Sequence, residues 1–243
     1  MEATAGAAAE TPIGATAEAP GDAVDTPPVL SLAGVRILDE NGLGYGPLDL
    51  SLGKDERALV QAENPSVIAG IIRVALAMRK PHQGSVGFEG RGMDAGKGVL
   101  ERSALYARIG IVCELFGLLP GVSPLNNLMA YSLYHLGDPK KDLEARCVRI
   151  LKGLGFGEAP MRVPCSELNK PYRTLGLVGL AIAKEPPLVI IERPKRFLGR
   201  LFPKAWGFLT EECGKGGGSI LVLALKGEDY GDLDFHQRVR MGR

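Results

Sequence analysis

The stretch P-P-L-V-I-I-E-R-P (Pro186 to Pro194) decides the fold reading. Leu188 to Ile191 is an unbroken run of large aliphatic side chains, entered through two prolines and left through Glu192, Arg193 and a third proline. A strand with one wet face alternates apolar and polar residues. A short run apolar at every position suits a strand covered on both faces, as in the middle of a parallel sheet. Ser219 to Leu225 is a second such run, behind the glycines Gly216 to Gly218, and Arg57 to Ala62 reads as a short, mainly apolar strand.

Outward from these runs, Val29 to Leu38 reads as a strand. Leu48, Leu50 and Leu52, alternating with Asp49 and Ser51, have the pattern of a half-buried strand. Ser66 suits the cap of a helix to about Met78, because Val67, Ile71, Val74, Ala75 and Met78 fall on one face. Gly84 to Gly90 and Arg108 to Cys113 read as further strands, and Pro124 to about Ala183 as mostly helical with a break at Gly153 to Pro164. Strands alternating with helices predict an α/β fold with a mostly parallel sheet and a helical insertion between Cys113 and Leu188. The glycine cluster Gly214 to Gly218 reads as a hairpin or linker. Residues 1–28, rich in Ala, Thr, Pro and acidic side chains, bury too little surface to offset ordering entropy, and a disordered tail is expected there.

Composition narrows the function classes. Of the 243 residues, 29 are Lys or Arg and 28 Asp or Glu, so no basic excess points to nucleic acid. Cys113, Cys147, Cys165 and Cys213 form no C-x-x-C pair and have no histidine at ligand spacing, which argues against a zinc site or disulfide frame and for a reducing compartment. No apolar run reaches the ~18 residues of a membrane span, and no Lys or Arg precedes Arg36, so a secretion leader is not expected. His82, His135 and His236 stand alone and read as surface or packing residues.

From about Val29 onward, the order of segments resembles an ATP-binding cassette (ABC) ATPase, with a P-loop NTPase-like sheet. Four stretches carry the resemblance: G-S-V-G-F-E-G-R (Gly84 to Arg91), R-I-G-I-V-C-E-L-F-G-L-L-P-G-V-S-P-L-N-N-L (Arg108 to Leu128), S-E-L-N-K-P-Y-R (Ser166 to Arg173) and A-I-A-K-E-P-P-L-V-I-I-E-R-P (Ala181 to Pro194). They are similar to the strand and turn after the first helix, the Q-loop region, the start of the signature helix and the Walker B strand. The resemblance implies one cassette-like domain over 29–243, with a helical subdomain at about 115–185.

The family's nucleotide-handling positions are replaced. Counted from Glu56, the phosphate loop falls on Ala62 to Gly70, with Ala62, Pro65 and Val67 at loop glycines, Ile68 at the lysine and Ala69 at the magnesium-binding hydroxyl. Asn64, Ser66 and Gly70 complete this degenerate Walker A. A phosphate cradle needs a ring of backbone N–H groups, one cation and one hydroxyl. Pro65 removes an N–H, Val67 disfavours positive φ and Ile68 carries no charge. The Q-loop glutamine is Glu114 and the signature is L-N-K-P-Y (Leu168 to Tyr172), where Asn169 can still cap a helix. The Walker B aspartate is Glu192, the catalytic glutamate Arg193 and the switch histidine Leu225. An arginine, protonated at all relevant pH, cannot act as the base. No adenine-stacking aromatic lies near Leu38; Tyr45 is a distant candidate.

The resemblance therefore implies a non-hydrolysing subunit with no catalytic residue, metal or cofactor of its own. Two roles for Glu114, Glu192 and Arg193 remain open, a relict metal or nucleotide (ATP–magnesium) site or an ordinary salt-bridged end of a buried strand. In the family each ATP site joins one subunit's Walker A to the other's signature, so either a homodimer or a heterodimer with an ABC ATPase would have compromised sites. Phe116, Leu118, Leu119 and Pro120 are either local packing or the contact with an integral membrane permease, which would hold the chain in the cytoplasm at the inner membrane face. Leu133 to Arg146 looks most like ATPases of lipid-trafficking transporters. The rivals are a slow unconventional ATPase using Glu192 and Glu114, and a soluble scaffold without a permease.

Overall fold

The computed structural model describes residues 26–93, 95–96, 98–136 and 140–242. Most of the expected disordered tail, residues 1–25, lies outside the described residues.

Two sheets face each other across one helix. Strands β1 (Leu30–Leu38) and β2 (Gly44–Leu52) pair antiparallel, and β4 (Gln83–Phe88) with the short β5 (Arg91–Gly92) extends that sheet in the order β2-β1-β4-β5. The second sheet contains β3 (Arg57–Ala62), β6 (Ile109–Val112), β7 (Leu188–Glu192), β8 (Ser219–Leu225) and β9 (Gln237–Met241). Its order is β6-β7-β8-β3-β9, and every pairing is parallel. As the aliphatic runs predict, all five residues of β7 are buried, and so are six of the seven in β8.

Helix α1 (Pro65–Ala75) lies between the sheets, packed on β1, β3 and β8, with Val67, Ile68, Gly70, Ile71, Ile72, Val74 and Ala75 buried. A Cβ built on Gly70 would sit 2.6 Å from Ile37 Cγ2, so the helix lies flush on β1. After α2 (Val99–Arg108) and β6 come α3 (Pro124–Leu136), α4 (Lys140–Leu154), α5 (Glu158–Arg162) and α6 (Lys170–Ala183). These four helices occupy the predicted insertion, and α5 fills part of the predicted break. The short α7 (Pro194–Leu198) and α8 (Phe202–Gly216) follow β7.

Several expectations need correction. The strands Val29–Leu38, Leu48–Leu52 and Gly84–Gly90 belong to a separate antiparallel sheet rather than to the parallel one. Gly214 to Gly218 is not a hairpin. It ends α8: Gly217, with φ +70, takes the left-handed conformation of a helix terminus, and Gly218 N–H returns to Cys213 O at 2.8 Å. Helix α8 carries a readable signal in Phe202, Ala205, Trp206, Leu209 and Cys213, all buried at helical spacing. Strand β9 runs along a sheet edge with Arg238 and Arg240 outward, which blunts the edge and hides the strand from a search for apolar runs.

Gly84 tests the turn into β4. Its φ is +84, and a Cβ there would lie 2.4 Å from Ala33 O. Gly84→Ala is expected to destabilise the protein by about 2–3 kcal/mol in urea unfolding. Gly92→Ala, with nothing within 4 Å of its Cβ, serves as the control and should change stability by less than about 1 kcal/mol.

Candidate functional site

In open α/β sheets the functional crevice lies beyond the carboxyl ends of the parallel strands. Here those ends are Ala62, Val112, Glu192 and Leu225, brought level by the pairings Ala62 with Leu225, Val112 with Ile191 and Glu192 with Leu223.

Two residues, Glu63 and Asn64, connect β3 to α1. Asn64, not Ser66, is the helix cap: Asn64 Oδ1 accepts from Val67 N–H at 3.0 Å and from the Ser66 hydroxyl at 2.7 Å. The two candidates compete, and Asn64 wins because Pro65 suits the first helical position with its fixed φ and missing N–H. Asn64 Nδ2 donates to Tyr45 Oη at 3.0 Å, and Tyr45 Oη to Asp39 Oδ2 at 3.4 Å. Tyr45 is thereby corrected as a stacking platform, because its ring is 2% exposed in the core. Val67 and Ile68 are fully buried, Gly70 meets Ile37, and Ala69 is half-buried on the helix. The helix start is thus satisfied by the chain's own side chains.

Glu192, at the end of β7, is 6% exposed. Burial raises its pKa above the ordinary carboxylate range, the Coulomb field of Glu114 adds to the rise, and the Glu114 N–H donated to Glu192 Oε2 at 3.0 Å opposes it. Glu114 points outward and pairs with Lys170 Nζ at 2.5 Å, which ties the strand end to the first residue of α6. Arg193 adopts φ 42 and ψ 52, its N–H donates to Leu223 O at 2.7 Å, and its Nε pairs with Glu228 Oε1 at 2.7 Å. Buried Cys113 completes this end, with its thiol pKa raised to about 11 by burial. Glu114 and Glu192 are neighbours, but among the described residues no group of three or more His, Cys, Asp or Glu side chains could hold a metal ion.

Asn169 caps α6 as expected, accepting from Tyr172 N–H at 3.1 Å. Beside that helix start lies a cavity of about 420 Å³. Phe116, Leu118 and Pro120 line it on one side, and Lys170, Leu177 and Phe197 on the other. Leu119, on the same loop, is 61% exposed, and Leu115 is 40% exposed. Gly176 lets Leu118 lie close against α6, since a Cβ there would be 2.6 Å from Leu118 Cδ1.

Asn127, 7% exposed, holds this loop. Its Oδ1 accepts from Leu119 N–H at 2.9 Å, and its Nδ2 donates to Val122 O at 3.1 Å and Ser123 O at 3.0 Å. Ser166 N–H also reaches Pro120 O at 2.9 Å. The sequence reading missed Asn127, Lys170 and Phe197 as site residues; only the fold brings α3, α6 and α7 to one loop. His236 is structural, with Nδ1 accepting from Arg57 N–H at 3.0 Å.

No family model matches the sequence, and no curated protein matches it either. Solved structures do resemble the fold. The ATP-binding cassette MJ0796, a bacterial ABC transporter cassette, superposes with a TM-score of 0.71 at 16% identity, covering 81% of this chain and 88% of that one, both in a dimer bound to ADP and Pi and in a second dimeric structure. CbiO1 of Clostridium perfringens, part of the ABC transporter complex CbiONQ, gives 0.63 at 17% identity over 82% and 79%. The chain has the ABC ATPase fold.

Ile68→Lys would place a cation at a fully buried position, and is expected to cost about 3–5 kcal/mol of folding stability by urea denaturation. Glu192→Gln should act in the opposite sense. Because the folded-state pKa is raised, the native state favours the protonated acid, and ionisation destabilises it as pH rises through that pKa. The variant is expected to differ least from the parent at acid pH and to gain on it in urea-unfolding stability as pH rises towards 8.

Proposed function

We propose that this chain is a cassette subunit of a membrane ABC transporter that docks on a permease and supports the complex without ordinary ATP turnover. The observation that carries the reading is the two-residue connection between β3 and α1, closed by Asn64, in a chain with the cassette fold. A phosphate loop of the form G-x-x-x-x-G-K-[ST] needs several residues between strand and helix to aim their N–H groups at one anion. Here the first helical residue is a proline, the third N–H is taken by the Asn64 side chain, and the lysine position is an interior isoleucine.

Water activation is opposed at the same edge. The catalytic-glutamate position is an arginine already paired with Glu228, and burial raises the pKa of Glu192 above the ordinary carboxylate range. A carboxylate on magnesium there would have to offset that desolvation.

The docking half of the proposal rests on the 420 Å³ groove and the exposed Leu115 and Leu119 beside it. Loop and helix present apolar walls, while Lys170 and Arg173 lie at the rim. An amphipathic helix from a membrane protein, with apolar residues inward and acidic residues at the rim, fits that chemistry. Among the described residues no helix is long and apolar enough to cross a membrane, so membrane attachment in this reading runs through the partner. Pairing with a second copy or with an ABC ATPase follows the dimeric MJ0796 cassette.

Equilibrium titration with labelled ATP and magnesium is expected to show no saturable binding at micromolar nucleotide, and binding in that range would overturn the pseudo-ATPase reading. Leu115→Asp with Leu119→Asp should release the protein from its membrane fraction while circular dichroism stays unchanged. Unaltered sedimentation with membranes would remove the docking claim.

A further inference from the structure

A second cavity, of about 440 Å³, opens away from the strand ends, between the β4–β5 hairpin and α2. Its floor is apolar, made by Phe88, Met93 and Leu105 with Ala77 beneath. Three guanidinium groups face it, those of Arg91, Arg102 and Arg108, against two carboxylates, Glu89 and Glu101.

The two carboxylates are committed elsewhere. Glu89 pairs with Arg108 through both oxygens, at 2.5 and 2.7 Å, and the Arg108 guanidinium also lies 5.8 Å above the Phe88 ring. Glu101 Oε2 accepts from Gly98 N–H at 3.2 Å and closes the start of α2. That leaves Arg91, on β5, and half-buried Arg102, on α2, and among the described residues neither guanidinium has a hydrogen-bond or ion-pair partner. Arg102 also lines an adjoining depression with Met78, which is 45% exposed, and Tyr106, so apolar surface continues past the cavity mouth.

From this arrangement we infer that the cavity between the β4–β5 hairpin and α2 binds a small amphipathic anion, its carboxylate or phosphate held by Arg91 and Arg102 and its hydrocarbon lying on Phe88, Met93 and Leu105. A guanidinium fork suits a planar or tetrahedral oxyanion better than a point cation does. The volume is in the range of small-molecule sites, and the apolar floor excludes a purely polar anion as the fitting ligand. The site is independent of the docking groove, since the two share no lining residue.

Eight-carbon probes stay monomeric and separate head from tail. Calorimetric titration of the full chain is expected to give saturable one-to-one binding of octanoate and octyl phosphate at micromolar concentrations. Octanol and inorganic phosphate should each bind at least tenfold more weakly. Arg91→Gln with Arg102→Gln should weaken octyl phosphate at least tenfold, and Leu105→Glu should do the same by charging the floor.

Hydrogen exchange on the unaltered protein guards against variants that fail to fold: octyl phosphate should protect residues 88–93 and 101–108. Octanol binding as tightly as octyl phosphate, protection confined to other segments, or no saturable binding of either anion at millimolar concentration would each overturn the site. Vesicles with and without phosphatidic acid distinguish the source. Sedimentation with the anionic vesicles that octyl phosphate reverses supports a lipid headgroup, and octyl phosphate binding without sedimentation supports a free amphiphile.

Discussion

Helix α1 has no wet face to spare. It is pressed between the antiparallel and parallel sheets, with seven of its eleven residues buried, and Gly70 brings it against Ile37 so closely that even a methyl group would collide. Interiors packed at such density accept little change in volume and almost none in charge. That constraint fixes where the helix begins and which way its first turn points. Ile68 lies inward among the core residues of both sheets, and Asn64 at the junction accepts from the first turn. A phosphate loop of the form G-x-x-x-x-G-K-[ST] would need a longer connection and a rebuilt core position together. The two changes are coupled through the same helix.

The other strand ends follow the same logic. Where an α/β sheet ordinarily leaves polar groups facing a ligand, this chain closes them on one another. Arg193 is held by Glu228, and Gln61 Nε2 donates to Glu228 O at 3.0 Å, so the ends of β3 and β7 share one hydrogen-bonded segment. Glu114 is divided, its N–H on Glu192 and its carboxylate on Lys170. The exposed Glu114–Lys170 pair is worth little by itself, whereas the shielded Arg193–Glu228 pair, with side chains 11% and 22% exposed, is harder to exchange for a ligand. Arg193 also sits in the left-handed region, a conformation that costs energy without glycine. Its backbone N–H and its guanidinium each have a partner that holds it there.

What was legible in the sequence follows from how local each signal is. The aliphatic runs of β7 and β8 need no context, because burial on both faces writes itself into consecutive residues. The cap at Asn169 is local too, whereas Ser66 reads as the cap of α1 although Pro65, suited to the first helical position, marks Asn64 as the residue before it. Strand β9 was hidden because an edge strand needs only one buried side, and its outward arginines imitate a solvated loop. The groove beside Leu118 was half legible: the apolar loop could be read, but Lys170 and Phe197 reach it from 52 and 79 residues further along the chain. No periodicity encodes a meeting of that range.

The strand ends and the loop that continues from β6 differ in how their polar groups are used. At the strand ends, buried polar atoms face each other and leave little for an incoming anion. Behind the 115–123 loop, buried Asn127 on α3 directs its amide to the backbone of Leu119, Val122 and Ser123, with one further contact to Cys165 Sγ at 3.6 Å. Burying an amide costs free energy unless each of its groups is matched, and an apolar residue would pack there without that demand. The matched amide gives the loop one shape instead of several. That shape holds Leu119 outward at the rim of the groove while Leu118 is pinned inward against Gly176. A surface that is both exposed and rigid loses little entropy when a partner covers it, which is the physical ground for the proposed docking face at this loop.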